Sequence, residues 1–175
     1  VLHYYWFAMY EPKILALGLA VAISLFSLAH INLAFAQDEE QTEGFTAMLS
    51  GGEEVPPVET TATGNASFTI EGEESIEYSV NVTDMDKVTA AHIHDAPKGE
   101  NGQVVVTLFK ADSPTGVISG GLANGTITAS NLEGDMQGLA VIDLIKAMER
   151  GETYVNVHTE KNPNGEIRGQ ISTVK

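Results

Sequence analysis

Two histidines one residue apart, His92 and His94 in the run Ala91-His92-Ile93-His94-Asp95, and a third, His158, in Tyr154-Val155-Asn156-Val157-His158-Thr159, are the side chains best suited to hold a metal ion. Residues i and i+2 of a strand project from one face, so an extended backbone presents His92 and His94 together and turns Ile93 the other way. In the later run Val155 and Val157 form one face, and His158 shares the opposite face with Tyr154 and Asn156. Three imidazoles on rigid strands form a three-nitrogen ligand set of the kind that suits copper or zinc. The competing reading is structural: a histidine pair at a strand end can simply hydrogen-bond a neighbouring turn, with Glu54 or the backbone of residues 54–58 as the acceptor.

Arg168 is the remaining candidate. Asn162-Pro163-Asn164-Gly165 is a hairpin signal, because Asn and Gly tolerate positive φ, and it folds the chain back after His158 so that Arg168 returns toward it. A guanidinium beside a cationic metal would guide a small anion toward it. Alternatively, Arg168 pairs with a carboxylate such as Glu54 or Glu166 and locks the hairpin.

The elements that must position these side chains are strands. Phe45, Ala47 and Leu49, then Ala66, Phe68 and Ile70, then Ile76, Tyr78, Val80 and Val82 alternate with polar neighbours and are bounded by turn residues. Similar runs occupy 88–94, 103–109, 122–128, 153–159 and 166–173. About eight short strands predict an all-β fold, an antiparallel Greek-key β-sandwich or flattened barrel. One segment, 138–150, places Val141, Ile142, Leu144, Ile145 and Met148 at helical spacing before Gly151, which predicts a single short helix near 140–150 that packs on the sheet as core material. Pro56 and Pro57 cannot donate to a ladder, so 54–58 is expected to be a stiff extended connection or a sheet edge.

Composition limits the functions available. A chain of 175 residues that is 43% hydrophobic suits one domain with a real core. A formal net charge of -15, from 24 acidic and 9 basic residues, argues against nucleic acid or an anionic membrane surface as partner. The absence of cysteine removes disulfides, thiolate metal sites and cysteine nucleophiles. Met9-Tyr10-Glu11-Pro12-Lys13, the apolar run 14–28 and the exit Ala34-Phe35-Ala36 have the order of a signal peptide. Residues 1–36 are therefore expected to be a signal segment with Met9 as initiator, cleaved after Ala36, followed by an acidic linker over 37–44 and a domain over 45–175. The mature domain would then be secreted or held at the cell surface, with no membrane contact beyond that segment. The alternative is that 14–36 stays as an anchor. With His3 and His30 in the leader, His92, His94 and His158 are the only histidines of the remaining chain. Asn65, Asn81 and Asn124 head sequons that export would open to glycosylation.

The run Phe45-Thr46-Ala47-Met48-Leu49-Ser50-Gly51-Gly52-Glu53-Glu54-Val55-Pro56-Pro57-Val58, then Ala90-Ala91-His92-Ile93-His94, then 154–159, then Asn162-Pro163-Asn164-Gly165-Glu166-Ile167-Arg168-Gly169-Gln170-Ile171, resembles the chordin-type (CHRD) domain family from Phe45 to about Thr173. That resemblance implies an extracellular domain whose partners are other cell-surface or extracellular proteins. A more distant similarity is to copper/zinc superoxide dismutase, an eight-stranded Greek-key barrel in which an H-x-H strand, a later histidine and an arginine before the last strand occur in the order of His92, His94, His158 and Arg168. It implies copper chemistry on superoxide, with Arg168 guiding the anion. The departures are specific: no bridging histidine lies between His94 and His158, residues 96–103 are too short for a zinc-binding loop, and the disulfide is absent. The expectation is an exported CHRD domain with a mononuclear copper or zinc site at His92, His94 and His158. Its alternatives are a superoxide dismutase-like redox enzyme and an interaction module with structural histidines. Metal titration separates the first two from the third.

Overall fold

Apolar residues at every second position bury one side of each strand, and the strands curl so that those sides meet. The computed structural model describes residues 44–174. The expected signal segment 1–36 and all of the expected linker but Gly44 lie outside the described residues. Among the described residues the strands are β1 Gly44–Ser50, β2 Thr63–Glu71, β3 Ser75–Met85, β4 Val88–Asp95, β5 Gln103–Lys110, β6 Ile118–Ile127, β7 Thr153–Thr159, β8 Ile167–Gln170 and β9 Ser172–Thr173, with one α-helix, α1, Val141–Glu149. All pairings are antiparallel, in the order β5-β4-β7-β8-β1-β2-β3-β6, with β9 beside β1. The connections from β3 to β4, from β5 to β6 and from β6 to β7 cross between non-adjacent strands, which is the Greek-key character expected. The ends of the order approach each other in a nearly closed barrel, where the Tyr78 hydroxyl of β3 donates to the Leu108 carbonyl of β5 at 2.8 Å.

The core holds Phe45, Ala47 and Leu49 of β1, Ala66 and Phe68 of β2, Ile76, Val80 and Val82 of β3, Ala91 and Ile93 of β4, and Val155 and Val157 of β7. Full burial of Ile93 contributes roughly 1.5–3 kcal/mol. A one-residue slip of β4 would expose Ile93 and bury two imidazoles in the core, so packing fixes the register that sends His92 and His94 outward. The helix α1 adds Val141, Leu144, Ile145 and Met148 to the core. It ends at Gly151, whose φ of 67° lets its N–H reach the Met148 carbonyl at 3.0 Å.

Three elements differ from expectation. The strand expected over 122–128 starts at Ile118, because Gly120 and Gly121 are paired with Val82 and Asn81 across a bulge rather than forming a turn. The strand expected over 166–173 is two, β8 and β9, interrupted where Ile171 buries its side chain and donates its N–H to the Thr153 carbonyl at 3.0 Å. Residues 51–58 form neither an extended connection nor a sheet edge. A short 3-10 turn, Gly51–Glu53, precedes a bend closed by bonds from the Glu54 and Val58 N–H groups to the Gly51 carbonyl. This bend faces the 161–165 turn across a cleft.

Candidate metal centre

The site lies on the outer face of β4 and β7. His92 is directly opposite Asn156, His94 opposite Tyr154, and His158 opposite Ala90, so His158 is the diagonal neighbour of His92 on the same face. On the next strand Arg168 is opposite Asn156. The three expected histidines converge: one donor atom from each lies within 4.8 Å of those of the other two. His92 Nδ1 and His158 Nε2 are 3.0 Å apart. Two nitrogens bound at about 2.0–2.1 Å to one tetrahedral ion stand about 3.3 Å apart, so this pair is already spaced as a chelate.

Hydrogen bonds assign the tautomers. His94 Nδ1 is 3.0 Å from the Gly102 carbonyl and His158 Nδ1 is 3.0 Å from the Pro163 carbonyl. A carbonyl only accepts, so both Nδ1 atoms carry hydrogen and both Nε2 atoms present lone pairs. His158 Nε2 thus accepts from His92 Nδ1, whereas His94 Nε2 is buried with no partner. An orphaned buried acceptor costs about 1–3 kcal/mol. A metal ion would satisfy it, and a second-ring-nitrogen bond to a backbone carbonyl is the support that ligating histidines usually have.

The acceptors are neither Glu54 nor the backbone of 54–58, contrary to the structural reading of the sequence. Gly102 holds its place by close approach: a Cβ there would overlap the Asp95 carbonyl. Glu54 instead accepts from Asn156 Nδ2 at 2.7 Å, directly beneath Gly165, where a Cβ would collide with both groups and φ is 130°.

Burial lowers the proton affinity of all three imidazoles. His92 is pushed down to about 4 by burial and then by His158, His94 and Lys110. His94 is lowered chiefly by burial, against the opposing bond to Gly102, and His158 chiefly by burial, against its bond to Pro163. All three are neutral imidazoles at pH 7. Glu54, 6% exposed, is pushed up to about 7 by burial, which outweighs the nearby Arg168 charge and the Asn156 bond. Burial also acts on Glu166, but hydroxyl donors from Thr159 at 2.6 Å and Thr60 at 2.8 Å bring it below the usual carboxylate range.

Arg168 forms neither of the expected carboxylate pairs. It is 2% exposed and donates to Asn101 Oδ1 at 3.1 Å and to the Glu100 carbonyl at 2.7 Å. Its guanidinium carbon sits 3.4 Å from the centre of the Tyr154 ring. Tyr154 in turn stacks on His94, with centroids 4.7 Å apart and planes 6° from parallel. The supporting roles of Asn101 and of the Gly102 and Pro163 carbonyls carry no signal in the sequence, since backbone carbonyls have no side-chain identity; Tyr154 shows there only as a residue on the His158 face.

Among known proteins, the model of the CHRD domain matches residues 45–171, which takes in β1 to β8 apart from Gly44 and includes His92, His94 and His158. Chordin of Xenopus laevis is 28% identical over 121 residues, covering 66% of this chain and 12% of chordin's own length. No solved structure matches. The barrel, the histidine-bearing strands β4 and β7 and the Arg168 strand β8 all fall inside the matched segment, and the chain belongs to the CHRD domain family.

Proposed function

We propose that this CHRD domain is a metal-binding module that holds one copper or zinc ion per chain through His92 Nδ1, His94 Nε2 and His158 Nε2. The observation that carries the reading is the partnerless, buried Nε2 of His94 beside the close His92–His158 pair. Purely structural imidazoles would be expected to use that atom. Neutral imidazoles at pH 7 and a chain of net charge -15 both favour a cation. Bound there, copper or zinc would supply a Lewis-acidic centre with a free coordination position. For His92, binding requires the Nδ1 proton to move to Nε2 or to solvent, since Nδ1 faces the other donors. We further propose that residues 1–36 direct export and are cleaved after Ala36, so that the domain works outside the cytoplasm on a metal ion and on surface or extracellular proteins. That part rests on the sequence pattern and on the similarity to chordin.

Calorimetric titration of the 37–175 fragment with zinc and copper tests the reading. The expected result is one ion per chain, with His92→Ala, His94→Ala and His158→Ala each weakening binding at least tenfold. Absence of stoichiometric binding, with a large loss of thermal stability in the three variants, would reassign the imidazoles to packing and favour an interaction module. Superoxide consumption by the copper-loaded domain would add the redox activity implied by the superoxide dismutase resemblance. The missing bridging histidine argues against it, and binding without consumption is the expected outcome.

A further inference from the structure

Arg168 is the largest of the fully buried side chains, yet it has no carboxylate within ion-pair distance among the described residues. Its bonds go to the loop between β4 and β5 instead. Nη2 donates to the Glu100 carbonyl, Nη1 to Asn101 Oδ1, and the Asn101 amide continues to the Val55 carbonyl at 2.9 Å. The next residue, Gly102, accepts the His94 Nδ1 proton through its carbonyl and turns its N–H toward the Tyr154 hydroxyl, 3.3 Å away. Tyr154 lies between the guanidinium on one face and the His94 ring on the other. Two of the groups that orient His94 are therefore tied to Arg168: Tyr154 through the stack on its ring, and Gly102 through the neighbouring Glu100 and Asn101.

From this closed circuit we infer that Arg168 is the positioning residue of the three-histidine site. By fixing the 100–102 backbone and clamping Tyr154, it sets the tautomer of His94 and aims Nε2 at the ion. The inference deepens the metal-binding proposal and rests on it for its consequence, though the His94 geometry can be tested without metal. It also displaces anion guidance as the role of Arg168, because one face of the guanidinium is covered by Tyr154 and two of its nitrogens are committed to the loop. A lysine could supply the charge but neither the planar stack nor the fork.

Two variants separate the roles. Arg168→Lys keeps the charge, and Asn101→Ala leaves Arg168 in place while removing one of its acceptors and the strap to Val55. Long-range proton–nitrogen NMR of the metal-free domain reads the tautomer, and zinc titration reads affinity. The wild type should show His94 with its hydrogen on Nδ1. Both folded variants should show a mixed or switched His94 tautomer, with His158 unchanged, and zinc binding weakened about 10–100-fold, less in Asn101→Ala. A His94 signal that stays on Nδ1 in both variants, with unchanged zinc affinity, would overturn the inference. A fall confined to reaction with an anion would restore the guiding role and overturn it equally. Should Arg168→Lys not fold, Asn101→Ala alone decides. A wild type that binds no zinc would sink the metal reading, while the tautomer shift would still decide the positioning role.

Discussion

At the scale of single residues, the three imidazoles differ in what holds them. His94 and His158 are locked by carbonyls, whereas His92 has only its partner imidazole at 3.0 Å. The identity of the trio was legible in the sequence because strand geometry places i and i+2 on one side. Of the neighbours only Tyr154 is legible, as a residue on the His158 face; the rest are carbonyls and a loop asparagine brought in by tertiary contact. Glu54 makes a testable contrast with them. Its folded value of about 7 lies above the usual 4.5, so the folded state binds more protons than the unfolded state between those limits. Its contribution is therefore present at low pH and is lost as pH rises through about 7. His92 has the opposite sign: lowered from 6.5 to about 4, it costs stability as pH falls through that window. Glu54→Gln keeps the acceptor for Asn156 and removes the charge. Denaturant unfolding should find it equal to the wild type near pH 4 and more stable at pH 8, by about 3 kcal/mol at about 1.4 kcal/mol per unit. A difference that does not change with pH would show that Glu54 is ordinary in the folded state.

At the scale of elements, six of the nine strands began within two residues of where alternation placed them, because one buried face per strand is what period two encodes. What alternation could not give was the loop geometry around the site. The Pro56–Pro57 run reads as stiff and extended, but the Gly51 carbonyl gathers two N–H groups and folds it into a bend. The strand that alternation starts at 122 begins instead at Ile118 and carries Gly120 and Gly121 within it beside a bulge. The loop 96–102 matters most, since it is pinned at Lys98 by Glu53, at Asn101 by Arg168 and at Ala96 by Gln170. Gly102→Ala should force that loop off the Asp95 carbonyl, costing about 1–3 kcal/mol in overpacking, and weaken zinc binding by taking the Gly102 carbonyl from His94. Gly116→Ala, with open space around it, should leave thermal stability within about 0.5 kcal/mol. Equal melting points for the two variants would contradict the close packing assigned to the loop.

At the scale of the whole molecule, a barrel with its core inside places the histidine cluster on its outer surface, beside loops rather than enclosed by sheet. Fold class followed from the sequence because alternation, turn residues and one helical segment all pointed to it together. The site needed the chain path as well: nothing in the sequence alone made β4 and β7 neighbours, and the pairing of Ala90 with His158 is what completes the trio. The acidic surface acts at this scale too. With a net charge of -15, cation capture should slow as salt rises, so zinc association followed by stopped flow should fall between about 0.01 and about 0.1 M salt, where the screening length shrinks from about 30 to about 10 Å. A rate independent of salt would contradict long-range attraction. The most direct test of the central claim is X-ray absorption of the domain carrying one equivalent of zinc. The geometry predicts a first shell at about 2.0–2.1 Å with the outer scattering of three imidazoles, reduced to two in His158→Ala. A shell of light atoms without imidazole scattering, unchanged by that substitution, would contradict it.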